Sequence, residues 1–397
     1  MYTTFAEDRV IQLIAFLGFV FGLSISLLAY VTSSYFKEVI MSDNVSLFYV
    51  VIFCILLVAL FKLNRIIEGF GRARTLLTLL AAQVGVLLAL QLSPVSWGGA
   101  ILMMIYYILY GIVAIVFDIV LEAYSTNGHT GRVRGFYLSV WNFGILVGPL
   151  ISMFLLEHYG FFMIFTVTLV LYAMMFLVAF IALNDVQGHV IPQQLHTKNV
   201  IYKFLHNRAL LNIYLVSLTL NFFYAAMTIY MPLYLRNIGL TWGDIGMIFM
   251  VMLVPFIFLQ YPAGVLADKK YGEKEMLLMG LSIMVVSIGM MFFSTSRTFV
   301  FWATVLFFSR IGAALVEELQ DSYFYKQINE NDIALINFFR STRAVAYIAS
   351  AISVGMALWI FADMRIFFVV IGCVLLAGFL PVFMLKDSAP VTEGRGV

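Results

Sequence analysis

Charged side chains inside apolar segments are the residues of this sequence that could do chemistry. Arg310 lies near the middle of the apolar segment 299–320, and Arg340 and Arg343 lie within the segment 333–358. An arginine at the centre of a bilayer costs roughly 2.5–3.5 kcal/mol on insertion scales, so we expect these three to be compensated. Three acids close to Arg310 in sequence make the block formally neutral: Glu317, Glu318 and Asp321.

Two interpretations of this block remain open. In the first, Arg340 and Arg343 pair with the acids near the cytoplasmic end of the segments and form a structural and gating network. In the second, Arg310 holds an anionic group of a substrate, or favours the ionised form of an acid that carries a proton. Asp118 and Glu122 end another apolar segment, and we expect them to contact loop cations rather than carry a proton.

A second polar pattern lies in the apolar segment 210–231. Its polar residues recur at helical spacing and form one stripe: Ser217, Asn221, Tyr224 and Thr228. The stripe could line a cavity, or it could make hydrogen bonds between helices.

The elements that position these residues are membrane-spanning helices. Of the 397 residues, 63% are hydrophobic and only 11% are charged, whereas soluble chains carry about 25% charged residues. A helix needs roughly 20 apolar residues to cross a bilayer. The pattern predicts an all-α integral membrane protein with twelve spans: 10–32, 45–63, 75–93, 98–119, 135–156, 161–183, 210–231, 244–263, 276–294, 299–320, 333–358 and 365–385.

The loops between these spans predict an orientation and exclude other classes of protein. Lys and Arg concentrate in the loops on the side of the two termini, which predicts that both termini are cytoplasmic in a cell membrane. A net charge of +2 offers no basic face for nucleic acid. The sequence lacks protease motifs and a phosphate-binding loop, so we expect neither an enzyme nor an ATP-driven pump, and neither a cofactor nor a metal site. We expect a monomer.

The two halves of the chain look related. Asp118, Glu122 and Tyr124 repeat the spacing of Glu317, Asp321 and Tyr323, and both groups end the fourth span of their half. A parallel repeat of six plus six spans is a transporter architecture with its binding site near the midplane, between the repeats. The sequence predicts two six-helix bundles around a central cavity, formed by 1–183 and 210–397 and joined by an amphipathic cytoplasmic loop at 184–209.

The short loops after spans two and eight share a pattern of glycines, an acid and cations. Each is a tight turn whose acid can cap a helix N-terminus and whose cations can bind acids at the ends of facing spans. The residues expected to form this cytoplasmic gate are Glu68, Gly71, Arg72 and Arg74; Gly264, Asp268, Gly272 and Lys274; and Asp118, Glu122, Glu317, Asp321, Arg340 and Arg343.

These two loops make the chain resemble the major facilitator superfamily. Residues 264–274 match its signature with one extra residue before Gly272, and residues 64–74 match it at Gly71, Arg72 and Arg74 but carry Glu68 in place of aspartate. The resemblance implies that spans one, four, seven and ten line a central cavity and that spans two, five, eight and eleven flank it. The candidate cavity residues are then Arg310, Ser217, Asn221, Tyr224, Thr228, Tyr107, Tyr110, Trp141 and Asn142.

Span five carries a further pattern, Gly135, Gly144, Gly148 and Pro149, which resembles the antiporter motif of the same superfamily without its closing glycine pair. Small residues at these positions are equally typical of close helix packing. The resemblance implies a secondary transporter of a small molecule that works by alternating access, and we favour proton-coupled efflux. The alternatives are a proton-coupled symporter or exchanger of a small anionic or neutral solute, and a non-transporting sensor or lipid scramblase on the same fold.

Overall fold

The structure is a computed structural model that describes residues 2–93, 95–124, 130–182, 202–204, 206–267, 272–328 and 333–385. Within these ranges it gives the backbone only, without side chains, at 2–15, 61, 64, 65, 68, 118–124, 130–139, 182, 260, 261, 333, 334 and 337. The described residues form helices and connecting turns and contain no β-strand.

The described part of the first half of the chain folds into six helices. In order they are α1 (Tyr2–Ala29), α2 (Thr32–Ile40), α3 (Ser46–Phe70), α4 (Arg72–Leu92), α5 (Trp97–Tyr124) and α6 (Thr130–Ala182). The 53 residues of α6 are two helices that meet at Gly160, whose φ of 71° and ψ of −170° are not helical. This break separates the predicted spans five and six.

The second half repeats this arrangement with more interruptions. Its helices are α7 (Arg208–Asn237), α8 (Trp242–Phe258), α9 (Gln260–Leu266), α10 (Glu273–Phe293), α11 (Phe299–Lys326), α12 (Ile333–Arg340), α13 (Thr342–Phe361), α14 (Ile366–Ala377) and α15 (Phe379–Phe383). The predicted spans eight, eleven and twelve are each made of two consecutive helices.

The lengths of the apolar helices confirm the predicted class of fold. Among the described residues, nine helical stretches are long and apolar enough to cross a membrane. One of them, 140–181, covers two predicted spans, and two shorter apolar helices, Ser46–Leu60 and Trp242–Phe258, coincide with spans two and eight. The structure is therefore that of an all-α, twelve-span membrane protein.

The first span is longer than predicted. Its helix is interrupted at Tyr30 and Val31 but resumes as α2 and continues to Ile40, beyond the predicted end at residue 32. The charge of Lys37 suggested an earlier end, but α2 buries Tyr35, whose ring packs edge-on against Phe161 at a centroid distance of 5.1 Å. Packing of this aromatic side chain accounts for the extension.

The chain forms two compact units. The first contains residues 1–191 and 235–250, and the second contains residues 192–234 and 251–397. The predicted boundaries at residues 183 and 209 stay predictions.

The two halves share a turn and helix lengths, as expected of a repeat. Gly71 precedes α4 with φ 82° and ψ 155°, and Gly272 precedes α10 with φ 77° and ψ 159°. Both helices contain 21 residues. The loop motifs therefore place a glycine in the same backbone conformation twice, in a region that other residues rarely adopt.

Glycines bring helices into close contact inside each unit. In the first unit, a Cβ atom on Gly144 would lie 2.6 Å from the carbonyl oxygen of Phe19, and one on Gly148 would lie 2.3 Å from Cβ of Ser26. In the second unit, a Cβ atom on Gly312 would lie 2.5 Å from the carbonyl oxygen of Gly280. Helices α1 and α6, and helices α10 and α11, approach so closely only because these side chains are absent.

Replacing Gly148 by alanine tests the first of these contacts. We expect Gly148→Ala to destabilise the protein by about 1–3 kcal/mol, because the added methyl group overlaps Ser26. Thermal unfolding of the purified protein in detergent measures the effect. Gly85→Ala is the control, since Gly85 lies inside α4 with open space around it; an equal loss of stability in both variants would contradict the packing argument.

The repeated turn glycines give a second prediction. Gly71→Ala and Gly272→Ala should each lower stability by about 1–3 kcal/mol, because alanine is strained at their φ and ψ angles. The same unfolding measurement applies. Gly289→Ala, a substitution inside α10 with no atom within 4 Å of the added Cβ, should leave stability unchanged or slightly raised. A stable Gly272→Ala variant would show that the turn is adaptable.

Candidate functional site

Arg310 is buried on α11 and is compensated by aromatic rings. Only 3% of the residue is exposed, and its guanidinium carbon lies 5.0 Å from the ring centroid of Phe223 and 5.4 Å from that of Tyr224. Its Nε is buried without a hydrogen-bond partner, and Arg310 forms no ion pair within the part of the chain that the structure describes. The negative faces of two rings therefore offset a charge in the membrane interior.

Glu317 lies on the same helix and is tied to one of these rings. The hydroxyl group of Tyr224 donates a hydrogen bond to Oε2 of Glu317 at 2.8 Å. Tyr224 therefore faces Arg310 with its ring and holds a carboxylate with its hydroxyl group. We call Arg310, Phe223, Tyr224 and Glu317 the Tyr224 cluster; all four belong to the second unit.

The charges of the Tyr224 cluster are unequally accessible. Glu317 and Tyr224 are partly exposed, whereas Arg310 and Phe223 are buried. Phe256 of α8 packs against Tyr224 with a centroid distance of 6.2 Å. The accessible part of the cluster therefore belongs to Glu317 and Tyr224, and not to Arg310.

The polar stripe of α7 has two different environments. Ser217 is 2% exposed and its hydroxyl group lies 3.0 Å from that of Thr342 on α13, so it joins two helices. Asn221 donates to the carbonyl oxygen of Ser217 at 2.9 Å and to its Oγ at 3.3 Å. Asn221, Tyr224 and Thr228 are partly exposed. The stripe therefore makes a helix contact at Ser217 and leaves polar groups accessible further along α7.

Arg340 and Arg343 lie on either side of the break between α12 and α13, and both are exposed. Glu317 is within electrostatic reach of Arg343, and Asp321, which is exposed, is within reach of Arg340. These four charges of the second unit therefore interact in two pairs, and the predicted gate as a whole stays a prediction.

The first residue of α10 takes part in an ion pair that the sequence analysis did not single out. Glu273, next to Gly272, is 1% exposed and pairs with Lys326 at the end of α11. It also accepts a hydrogen bond from Ser322 at 3.3 Å. The sequence did contain a signal for this pair, because an acid in the first turn of one helix and a base in the last turn of another are the charges that helix ends favour.

The other predicted gate residues have different environments. Gly264 lies against Glu318, because a Cβ atom there would be 3.3 Å from Oε1 of that acid. Arg72 and Lys274 are partly exposed and Arg74 is exposed. Asp268 lies outside the described residues, and the side chains of Glu68, Asp118 and Glu122 also lie outside the description.

The remaining candidate cavity residues belong to the first unit. Tyr107 is 6% exposed and its ring meets those of Tyr49 and Tyr110 edge-on, at 6.1 and 5.7 Å. Trp141 and Asn142 are partly exposed on α6, and the ring of Trp141 lies 5.6 Å from that of Phe21.

The antiporter-like residues serve helix contacts in the first unit. Gly144 and Gly148 abut α1, and the hydroxyl group of Ser26 donates to the carbonyl oxygen of Ile145 at 2.7 Å. Pro149 is buried, with its carbonyl oxygen 3.1 Å from the position of a Cβ on Gly246. Gly135 belongs to α6 but falls among the residues whose side-chain surroundings are not described.

Comparison with known proteins agrees with this architecture. Residues 14–359 match the family model described as Major Facilitator Superfamily. An uncharacterized MFS-type transporter of Methanocaldococcus jannaschii is 23% identical over 240 residues, which span 59% of this chain and 59% of that protein.

A solved structure shows the same fold. The crystal structure of the nucleoside transporter NupG superposes with a TM-score of 0.75 at 12% sequence identity, covering 95% of this chain and 100% of that chain. At this level of identity the likeness establishes the fold alone. The family match over residues 14–359 shows that this multi-pass membrane protein belongs to the Major Facilitator Superfamily, a family of transporters and not of enzymes.

Proposed function

We propose that the protein is a secondary transporter that works by alternating access and exports a small amphipathic cation in exchange for protons. The family match and the fold that the chain shares with the nucleoside transporter NupG support secondary transport. The charges of the Tyr224 cluster support the exchange of a cation for a proton.

The observation that carries this proposal is the state of Glu317. The residue is partly exposed, and its carboxylate forms no ion pair within the described part of the chain and accepts a hydrogen bond from Tyr224. A cation is attracted by this carboxylate and by the faces of neighbouring aromatic rings. Protonation of Glu317 removes the negative charge, so a proton and a cation compete for the same group. This competition is the coupling that antiport requires.

The neutral balance of the charged block strengthens this argument. Arg310, Arg340 and Arg343 balance Glu317, Glu318 and Asp321 when all six are ionised. Binding either one proton or one monovalent cation at Glu317 therefore changes the charge of the block by the same amount. The transporter therefore carries the same charge across the membrane whether a proton or a monovalent cation is bound, so the exchange of one for the other is electroneutral.

The proposal also covers the membrane, the orientation and the partners of the protein. We place it in the cell membrane with both termini cytoplasmic, because Lys and Arg concentrate in the loops on that side. In this orientation an inwardly directed proton gradient drives export. The transporter acts as a monomer, its partners are the solute, protons and the lipid bilayer, and it does not bind nucleic acid.

A second candidate is a proton-coupled symporter or exchanger of a small anionic or neutral solute. The observation that favours it is the buried Nε of Arg310, which lacks a hydrogen-bond partner. With Glu317 protonated, the positive charges exceed the negative ones and the block attracts an anion. The proton and the anion would then travel together.

Replacing Glu317 tests the coupling directly. Glu317→Gln should abolish proton-driven export and weaken cation binding by about tenfold or more, because a charge-assisted interaction of about 1.5–3 kcal/mol is lost. The assay follows lipophilic cations and internal pH in proteoliposomes with an imposed pH gradient. Glu275→Gln, at an exposed acid in the first turn of α10, is the matched control and should transport normally.

Three results of this experiment would reject the proposal. Proton-driven cation export by Glu317→Gln at the wild-type rate would show that the proton binds elsewhere. Wild-type movement of lipids between leaflets, without solute transport, would make the protein a scramblase. Ligand binding without any transport by the wild-type protein would favour a sensor.

Replacing Arg310 separates the two transport candidates. Arg310→Ala should retain part of the cation export, because Arg310 lies behind the rings and does not hold the solute. Thermal unfolding with pooled cations, nucleosides, sugars and organic anions reports binding, since a ligand at about 100 times its Kd adds roughly 2.7 kcal/mol of stability. Arg297→Ala, at an exposed loop arginine, is the control. Stabilisation by an anion that disappears only in Arg310→Ala would instead establish the anion symporter.

A further inference from the structure

The end of α7, the turn that follows it and the first half of α8 belong to a different unit from the rest of these two helices. The first unit contains Leu235–Met250, whereas the parts of α7 and α8 at 208–234 and 251–258 belong to the second unit. Neither helix is interrupted at the boundary, since α7 continues to Asn237 and α8 begins at Trp242. We call Leu235–Met250 the turn segment. Its contacts within the first unit are therefore what holds it there.

One end of the turn segment is held by a pair of opposite charges. Lys37 of α2 and Asp43 in the loop after α2 form an ion pair at 2.6 Å. Asn237, the last residue of α7, binds both side chains. Its Oδ1 accepts a hydrogen bond from Nζ of Lys37 at 2.7 Å, and its Nδ2 donates to Oδ2 of Asp43 at 3.0 Å. The three side chains therefore form a closed triangle of polar contacts.

The other end of the turn segment is held by a carboxylate on α6. Oε2 of Glu157 accepts a hydrogen bond from the backbone N–H of Gly243 at 2.7 Å. Gly243 is the second residue of α8, where N–H groups lack a partner inside the helix and the helix dipole favours a negative charge. One turn later Gly246 packs on α6, because a Cβ atom there would lie 2.9 Å from Cβ of Met153.

The turn segment is stiffened by contacts within itself. Nη1 of Arg236 donates to the carbonyl oxygen of Leu240 at 3.0 Å, and the guanidinium carbon lies 5.2 Å from the ring centroid of Trp242. At the start of α8, Oγ1 of Thr241 donates to Oδ2 of Asp244 at 2.7 Å and accepts from the N–H of Asp244 at 3.1 Å. This reciprocal capping satisfies the helix end. The turn segment can therefore move as one body.

A proline lies inside each helix close to the point where the helix changes unit. Pro232 precedes the turn segment by three residues on α7, and Pro255 follows it by five residues on α8. A proline inside a helix removes one backbone hydrogen bond and is a common site of bending. The turn segment is thus flanked by two points at which its helices bend more readily than elsewhere.

We propose that the turn segment is a gate at the outer end of the transport path, held shut by Asn237 and Glu157. It opens by bending of α7 at Pro232 and of α8 at Pro255, while the rest of both helices stays with the second unit. This rests on the proposed alternating access and on the proposed orientation, in which the loop between spans seven and eight lies on the side opposite the termini.

The test measures how often the turn segment leaves α6. Met153 lies beneath Gly246 and is 0% exposed, so Met153→Cys should react with a membrane-impermeant maleimide only while the gate is open. The reagent is added outside whole cells that express the protein. The background variant carries serine in place of the two native cysteines, Cys54 and Cys373, both of which are exposed.

Removing either contact should raise the labelling rate of Met153→Cys. Glu157→Ala should raise it about tenfold, because a charge-assisted hydrogen bond is lost. Glu157→Gln should raise it less, since the amide oxygen still accepts from the N–H group. Asn237→Ala should raise it about fivefold, and this variant leaves the Lys37–Asp43 pair in place. Combining Glu157→Ala with Asn237→Ala should multiply the two effects, because the contacts are separate.

Removing the prolines should have the opposite effect. Pro232→Ala and Pro255→Ala each supply the missing N–H group and should lower the labelling rate by about fivefold or more, because a straight helix is favoured. Pro381→Ala, at a buried proline of α15 in the second unit, is the control and should leave the rate unchanged. General loosening of the fold would raise the rate in all three variants.

Two further controls isolate the gate. Ser152→Cys places the probe next to Met153 at a position that is also 0% exposed. Ser152 shares a face of α6 with Gly148, which abuts Ser26 of α1, so it should stay unlabelled in every variant. Asp363→Asn removes an exposed acid from another predicted outer loop, where it accepts a hydrogen bond from the N–H of Arg365, and should not change the rate.

The outcomes separate the gate from the exporter, because labelling needs neither a solute nor a pH gradient. An unchanged rate in both Glu157→Ala and Asn237→Ala, or an equal rise in Asp363→Asn, would overturn the gate. A raised rate in both Pro232→Ala and Pro255→Ala would also overturn it. The expected pattern of labelling in a protein that exports no cation would support the gate and reject the proposed exporter.

Discussion

The structure depends on placing a guanidinium charge inside a membrane-spanning helix without giving it a carboxylate in direct contact. An isolated arginine at that depth costs roughly 2.5–3.5 kcal/mol, while a desolvated cation–π contact contributes about 2 kcal/mol. Two rings, Phe223 and Tyr224, therefore suffice to offset the charge of Arg310. Because the rings carry this task, Glu317 remains free of a direct pairing with Arg310 and partly exposed. A direct ion pair would have neutralised the group that the proposed exchange uses.

This arrangement requires α11 to be held firmly, because the rings that face Arg310 belong to another helix. The close approach of Gly280 and Gly312 fixes α11 against α10, and the ion pair between buried Glu273 and exposed Lys326 ties the C-terminal end of α11 to the start of α10. The junction between α12 and α13 is, by contrast, held to α7 by a contact between the neutral hydroxyl groups of Ser217 and Thr342.

The sequence predicted those features that depend on composition and period. The twelve apolar segments are visible in the sequence because a helix needs a minimum apolar length to cross the hydrocarbon core. Arg310 stands out because a charged side chain at that depth costs free energy. The fold class was confirmed in this way. The rings that face Arg310 were not predicted, because Phe223 is one of 38 phenylalanines and nothing local distinguishes it. The Ser217–Thr342 contact and the burial of Glu273 depend on the packing of distant segments, which a single sequence does not display.

Equivalent positions in α5 and α11 carry different side chains. When α5 and α11 are aligned on their acids, so that Asp118 corresponds to Glu317, the position of Arg310 is occupied by Gly111. A Cβ atom on Gly111 would lie 2.7 Å from Cδ2 of Leu56, so α5 uses this position to approach α3 closely. The equivalent position therefore serves helix packing on α5, at Gly111, and carries a charge on α11, at Arg310. The equal turns at Gly71 and Gly272 show that the two halves share a scaffold, and Gly111 and Arg310 show that equivalent positions in it carry different side chains.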